Sequence, residues 1–308
     1  IIHKKLNELN FNFRKLPKRM DSFDDIKRKL EASIIEYNTK PIEDFEGLSP
    51  ADMRYVLYEP YSNDSPLKIN KSIDDKVLDQ IPLFNQIEYL LHILITAGEI
   101  KLTSTSSLPT KIVKDIYSQG FLHDFAVDEG ITKLYAETSC NTIHLTHILV
   151  ELAGFTRKKN GKLSLTKNWG ERIKSKDRNS LFHKTFETFT QQFYWGYFDG
   201  YQGQQTGQFG FAFSLLLLSK YGNTEREDRF YSEKYLKAFP DILMEYPDEN
   251  VTIEPNRQFH RCYSVRTFER FLEHFNLVES RFEGKSRFGS KTFLKKSTIY
   301  DSIISFDI

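Results

Sequence analysis

Apolar residues return every three or four positions along most of this chain, which marks it as largely helical. In residues 21–37, DSFDDIKRKLEASIIEY, Phe23, Ile26, Leu30, Ile34 and Tyr37 fall at helical spacing. Asp21 or Ser22 can cap the start, and Asp24 and Asp25 suit its positive end. A second start is sharper. In GLSPADMRYVLYEP, Ser49 is a natural N-cap, Pro50 fits the first helical position, Asp52 completes a capping box, and Leu48 can staple to Met53. Pro60 ends that helix, and the Asn, Asp, Ser and Pro of residues 61–80 predict a linker.

The next stretch changes period repeatedly. Phe84–Ala97 predicts an apolar helix stopped by Gly98, and Ile100–Leu102 a short strand. A helix runs from Pro109 to Gly120 with the stripe Ile112, Val113, Ile116 and Tyr117, and residues 121–139 are less regular. Asn141–Ala153 predicts a third helix, with Gly154 beyond its end. Phe155–Lys158 and Leu163–Thr166 then flank Asn160-Gly161, the strongest short hairpin signal, because both turn residues need positive φ.

Helix, short strand, helix, helix, hairpin is the order of a winged-helix domain, and the fit covers residues 84–166. One departure stands out: about twenty residues separate the second and third helices, where a helix-turn-helix has about 3–4. A similar unit closes the chain. Ser264–Phe275 predicts a helix with Val265, Phe268, Phe271, Leu272 and Phe275 inward, and strands Leu277–Phe282 and Lys291–Leu294 flank a Gly284–Ser290 wing. The two hairpins end alike, in Leu165-Thr166-Lys167 and Leu294-Lys295-Lys296, which suggests an internal repeat. Helices over Phe209–Tyr221 and Arg229–Phe239 would complete the second unit, and Thr185–Tyr194 with the YWGYFDGY segment would bridge the two. The expected fold is therefore mainly α with short β-hairpins. It divides into an N-terminal helical region with a linker (1–80), a winged-helix-like module (81–178), and a helical segment with a second such module (179–308).

These residues also carry a resemblance. Phe193-Tyr194-Trp195-Gly196-Tyr197-Phe198-Asp199-Gly200-Tyr201 is followed by Phe211–Tyr221 and Gly222, then by Phe230-Tyr231 through Ala238-Phe239-Pro240. Together with GKLSLTKNWG and Tyr263–Phe275, this resembles a bacterial family of unknown function. Members of that family are often associated with the plasmid open-reading-frame-three-like domain found near mobile elements. The similarity covers residues 84–308, and FEGLSPADMRYVLYEP at 45–60 resembles a short N-terminal element of the same proteins. The plasmid-type domain itself is not evident. The resemblance implies no activity or cofactor, and no residue role is carried over.

Composition narrows the picture. At 308 residues with 39% hydrophobic side chains, the chain can bury about two cores, and 26 Phe with 16 Tyr suggest that rings fill them. Two cysteines, Cys140 and Cys262, cannot make a disulfide framework and fit a reducing compartment. The opening IIHKKLNELNFNF lacks the apolar core of a signal peptide. The longest apolar run, Phe209–Leu218, is too short to span a membrane. A cytoplasmic protein without membrane contact is expected.

The net charge of +1 hides segregation. Residues 154–178 hold nine cations against two anions, residues 281–296 six against one, and residues 4–19 six against one, while 41–79 hold nine acids and four bases. Basic hairpin tips can straddle phosphates. The candidate nucleic-acid contacts are Arg157, Lys158, Lys159, Lys162 and Lys167 in the first unit, and Lys285, Arg287 and Lys291 in the second. The competing reading is a solvated hairpin whose charges serve solubility and edge protection. The third helix of the first unit, TIHLTHILVEL at 142–152, has no Lys, Arg, Asn or Gln to reach base edges, which disfavours sequence-specific reading. In the later helix, Arg266, Arg270 and His274 alternate with Glu269 and Glu273, a pattern suited to pairing along the helix.

Other chemistry is thinly represented. Cys140, His144 and His147 share a helical face, but the first and last lie about 10.5 Å apart along the axis. One zinc cannot take all three. A metal would need distant ligands such as His123 or Asp124, and His260 with Cys262 is a poorer pair. No G-x-S-x-G elbow, phosphate loop or dinucleotide fingerprint is present; a Cys–His dyad at Cys140 stays open, since its partners meet only in the fold. Gly196, Gly200, Gly203, Gly207 and Gly210, with Gln202, Gln204, Gln205 and Gln208, predict a mobile loop. Tyr194, Trp195, Tyr197 and Tyr201 suit either a stacking platform or the core between modules, with the core favoured because amphipathic helices flank the run. The function expected is non-enzymatic contact with nucleic acid, nonspecific, in a mobile-element or regulatory setting, with no cofactor and no metal. The alternatives are a protein-interaction scaffold and an enzyme of unrecognised type.

Overall fold

A computed structural model describes residues 22–246, 254–284 and 291–308. Helices α1 (Phe23–Thr39) and α2 (Pro50–Tyr58) lead to strand β1 (Leu67–Ile69) and a single turn, α3 (Asp75–Leu78). Then come α4 (Pro82–Ala97), β2 (Glu99–Lys101), α5 (Thr110–Ser118), the one-turn α6 (Phe125–Asp128), α7 (Asn141–Leu152), β3 (Thr156–Lys159) and β4 (Lys162–Leu165). Helices α8 (Lys167–Lys174) and α9 (Arg178–Glu187) follow, and α9 widens into a π turn over Thr188–Gln192. The last run is α10 (Phe211–Tyr221), β5 (Arg226–Glu227), α11 (Asp228–Ala238), α12 (Pro255–Tyr263), β6 (Val278–Glu283), β7 (Lys291–Lys296), α13 (Tyr300–Ile303) and β8 (Ile304–Phe306). Helix α12 continues as a π-helix over Ser264–Leu272. The chain is mostly helical, with small antiparallel sheets. Among the described residues no helix is long and apolar enough to cross a membrane.

Local chemistry sets the boundaries. Both capping boxes form: Ser22 with Asp25 opens α1, and Ser49 with Asp52 opens α2. Asn160 and Gly161 take φ of 52° and 70°, the turn an Asn-Gly hairpin requires, and set Lys159 opposite Lys162. Two three-stranded sheets share one order, β2–β4–β3 and β5–β7–β6, each with the hairpin's second strand in the middle. In each, a helix precedes the short strand and further helices precede the hairpin: α5, the one-turn α6 and α7 in the first run, α11 and α12 in the second. The buried side chains of both runs form one continuous cluster from Leu48 to Ile304.

The structure corrects two expectations. Residues 61–80 are no free linker: β1 pairs antiparallel with β8, Leu67 opposite Phe306 and Ile69 opposite Ile304, so the segment is stitched to the C-terminal strand. The glycine–glutamine stretch is tethered rather than loose. Arg266, fully buried, donates to the carbonyls of Gly203, Gln204 and Thr206, and a side chain on Gly203 would collide with Tyr246 and Thr206. Helix α1, found where the spacing predicts it, has no buried residue.

Candidate functional site

The β2–β4–β3 sheet builds its two faces from strict alternation. Ile100 and Leu163 point inward and are buried, while Glu99, Lys101, Arg157, Lys159 and Lys162 are exposed. The register places Lys101 opposite Lys162, and Lys162 opposite Lys159. Three lysines therefore form one rung across the outer face. The next rung holds Glu99, Ser164 and Arg157. Like charges directly opposite oppose pairing by a fraction of a kcal/mol, up to about 1. Only Lys162 is compensated, by an ion pair with Glu99. Lys101 and Lys159 make no ion pair among the described residues, and Arg157 reaches only the Ser164 hydroxyl, at 3.4 Å.

The predicted contacts do not all share this face. Lys158 lies on the other side of the sheet and meets Glu151 of α7 at 3.5 Å. Lys167 is exposed at the start of α8. Lys291 begins β7 in the other sheet and lies 3.5 Å from Glu227. Lys285, Arg287 and the basic segment 4–19 lie outside the described residues. Lys101, which no hairpin pattern marks, joins the rung only through its strand register.

The irregular stretch before α7 acts as a clamp. Glu137, 1% exposed, accepts hydrogen bonds from His144 Nδ1 (2.5 Å), His147 Nδ1 (2.8 Å) and the Leu108 backbone N–H (2.5 Å). These donors outweigh the cost of burial and hold its carboxyl down at about 2. Asp124 accepts the Asn141 N–H at 2.7 Å and so caps α7 from a distance. The histidines singled out as metal candidates are thus bound to a carboxylate, and the Cys140 thiol, raised by burial, pairs with Thr142 Oγ1 at 3.3 Å. His123 is exposed and reaches Asp128 at 3.2 Å rather than α7. Among the described residues no group of three His, Cys, Asp or Glu is placed to hold a metal ion. Helix α7 also packs against α4, α5, β3 and the Thr188–Gln192 turn. Its only exposed residues are Asn141 and Leu152.

A second buried centre joins the aromatic segment to the π-helix. Asp199, 5% exposed at its side chain, accepts from Arg266 Nη2 (2.8 Å) and Arg270 Nη1 (2.7 Å). These arginines therefore do not pair with Glu269 and Glu273 along the helix as their alternation suggested. Arg266 points inward, and the wider π turn changes which residues share a face. The aromatic block divides: Phe193 and Trp195 are buried, while Tyr194 and Tyr197 are 45% and 56% exposed. Tyr197 Oη lies 3.4 Å from His144 Nε2.

Comparison with protein-family models, curated proteins and solved structures returns no match for this chain. Function therefore rests on the geometry.

Proposed function

We propose that the chain is a non-enzymatic protein of two winged-helix-like units that contacts nucleic acid through its phosphates, without reading sequence. The matching strand orders support the winged-helix reading. The lysine rung carries the functional one. Uncompensated cations side by side on an exposed sheet face cost folding free energy, and a polyanion relieves that cost. The buried α7 presents no cationic face to a groove, and the hairpin face supplies the contact. A mobile-element or regulatory setting belongs to the same proposal through the family resemblance.

The test is a fluorescence-anisotropy titration of duplex DNA at several salt concentrations. Replacing Lys101, Arg157, Lys159 and Lys162 together by Ala should weaken binding and lower the log–log salt slope by up to about 3.6, at about 0.9 for each phosphate no longer neutralised. Unchanged affinity and slope would sink the proposal.

A second reading, a protein-interaction module, is favoured by one observation: Phe23, Ile26, Leu30, Ile34 and Tyr37 line an exposed face of α1. A 17-residue helix is about 25 Å long, enough to pair with its copy in a second chain. Sedimentation velocity should then show a dimer that Leu30→Glu disperses; a monomer at every concentration excludes this mode.

A further inference from the structure

Among the described residues nothing covers the apolar face of α1. Phe23 is 81% exposed, and even Ile34, the least open of the stripe, is 49% exposed. Helix α2 touches α1 yet buries none of its residues. Most helical stability in proteins comes from packing such a face, and large open apolar patches mark contact sites.

The spacing says what kind of cover fits. Phe23, Ile26, Leu30 and Tyr37 fall at the a and d positions of a heptad, the seam along which helices pair. Ser33 takes the remaining d position, near the middle, and Ile34 widens the seam beside it. The charges at the flanks then choose the orientation. Lys29 and Glu36 stand at successive g positions on one flank, and Lys27 and Ile34 at e on the other. In a parallel pair g faces e, so Lys29 would meet Ile34 and Glu36 would meet Pro41, with no ion pair. In an antiparallel pair g faces g, and Lys29 of each copy meets Glu36 of the other. Lys27 is already held by Glu31 of its own helix at 4.0 Å, whereas Glu36 makes no ion pair among the described residues.

The area is sufficient for a dimer and no more. Covered Phe and Tyr side chains bury about 150–250 Å² each. Two copies of a stripe that is half open or more would therefore withdraw roughly 1,000 Å², the lower end of specific interfaces. An antiparallel pair also has the two-fold symmetry that closes a dimer and excludes further copies.

We infer that α1 forms an antiparallel homodimer seam, with Ile26 packed on Tyr37 and Lys29 paired to Glu36 across the two copies. The inference rests on the protein-interaction reading and adds the orientation and register of the pair. It draws on no residue of the lysine rung.

The test is charge exchange in the full chain, read by sedimentation velocity over a wide concentration range. Lys29 and Glu36 are both exposed, so the variants keep the fold, which circular dichroism checks. Lys29→Glu alone, or Glu36→Lys alone, turns two attractive pairs per dimer into two repulsive ones and should raise the dissociation constant about tenfold. The double variant Lys29→Glu/Glu36→Lys should dimerise like wild type. An equimolar mixture of the two single variants should recover the dimer as a heterodimer. A dimer that Leu30→Glu disperses but that ignores both single exchanges, or one that neither the double variant nor the mixture rescues, would overturn the antiparallel pairing and leave the protein-interaction reading standing. A monomer at every concentration, or a dimer that survives Leu30→Glu, would overturn both.

Discussion

Glu137→Gln gives the sharpest test of how the inserted stretch controls α7. The native carboxylate is buried and accepts three hydrogen bonds, two of them from histidines. The three donors hold it at about 2, against 4.5 for an ordinary glutamate. At about 1.4 kcal/mol per pKa unit this difference amounts to roughly 3–4 kcal/mol of stability linked to the ionised form. The depressed value fixes the sign. The contribution is complete above about pH 4.5 and disappears as pH falls through about 2. Urea unfolding followed by circular dichroism should therefore find Glu137→Gln less stable by about 3–4 kcal/mol at pH 7. The wild-type and variant curves should draw together as pH falls from about 5 to 2. Equal stability at pH 7, to within about 0.5 kcal/mol, would refute the reasoning, since a carboxylate worth so little cannot be clamping the helix. A gap that persists undiminished to pH 2 would refute it differently, by showing that shape rather than charge is lost.

Further outcomes follow from the same contacts. Asp199→Asn leaves the fully buried Arg266 without its counter-charge and should destabilise the chain by about 3–5 kcal/mol in urea unfolding. Gly203→Ala drives a methyl group into Tyr246 and should cost about 1–3 kcal/mol, visible as a lower melting temperature. Gly161→Val forces a β-branched residue into a turn at φ 70° and should cost about 1–2 kcal/mol, with loss of hairpin amide protection in hydrogen exchange. On the nucleic-acid side, Lys159→Ala should lower the salt slope by about 0.9, whereas Lys158→Ala, on the opposite face and paired with Glu151, should leave it nearly unchanged.

Features governed by neighbours in the chain were legible. The Ser22 and Ser49 caps, the Asn160-Gly161 turn and the helix over 82–97 depend on side chains within a few residues, and the patterns found them within one or two positions. Features governed by distant partners were not. Leu67 belongs to a strand only because Phe306 lies beside it, so an Asn- and Ser-rich stretch read as a linker. Glu137 is one acid in an irregular segment, and nothing local announces that it faces His144 and His147. A carboxylate at that distance would have been sought only by asking what satisfies two histidines on a buried helix face. Asp199 was likewise hidden, because Glu269 and Glu273 sat nearer to Arg266 and Arg270 in sequence. Along a regular helix they would have been the partners; the π-helix and the inward turn of Arg266 gave the arginines to a remote acid instead.

The burial of α7 also decides between two modes of nucleic-acid contact in the proposed winged-helix-like units. Groove reading would require that helix to leave its seam with the aromatic segment. Leu145, Phe189 and Phe193 border that seam and are nearly inaccessible to water. Exposing each would cost about 1.5–3 kcal/mol, so the three together set a penalty of roughly 5–9 kcal/mol before any bond to His144 or His147 is broken. The helix offers little in return, because Asn141 at its first position is its one side chain suited to a bidentate base contact, and such a contact is worth only about 1–3 kcal/mol. The outer sheet face needs no such rearrangement: Lys101, Arg157, Lys159 and Lys162 already stand in solvent. Contact through that face should consequently leave the seam undisturbed, and in a Trp169→Phe variant, whose one tryptophan is Trp195, the fluorescence should stay constant while duplex DNA saturates the lysines. A change in Trp195 emission in step with duplex binding would mean that the seam opens, contrary to this energetic ordering.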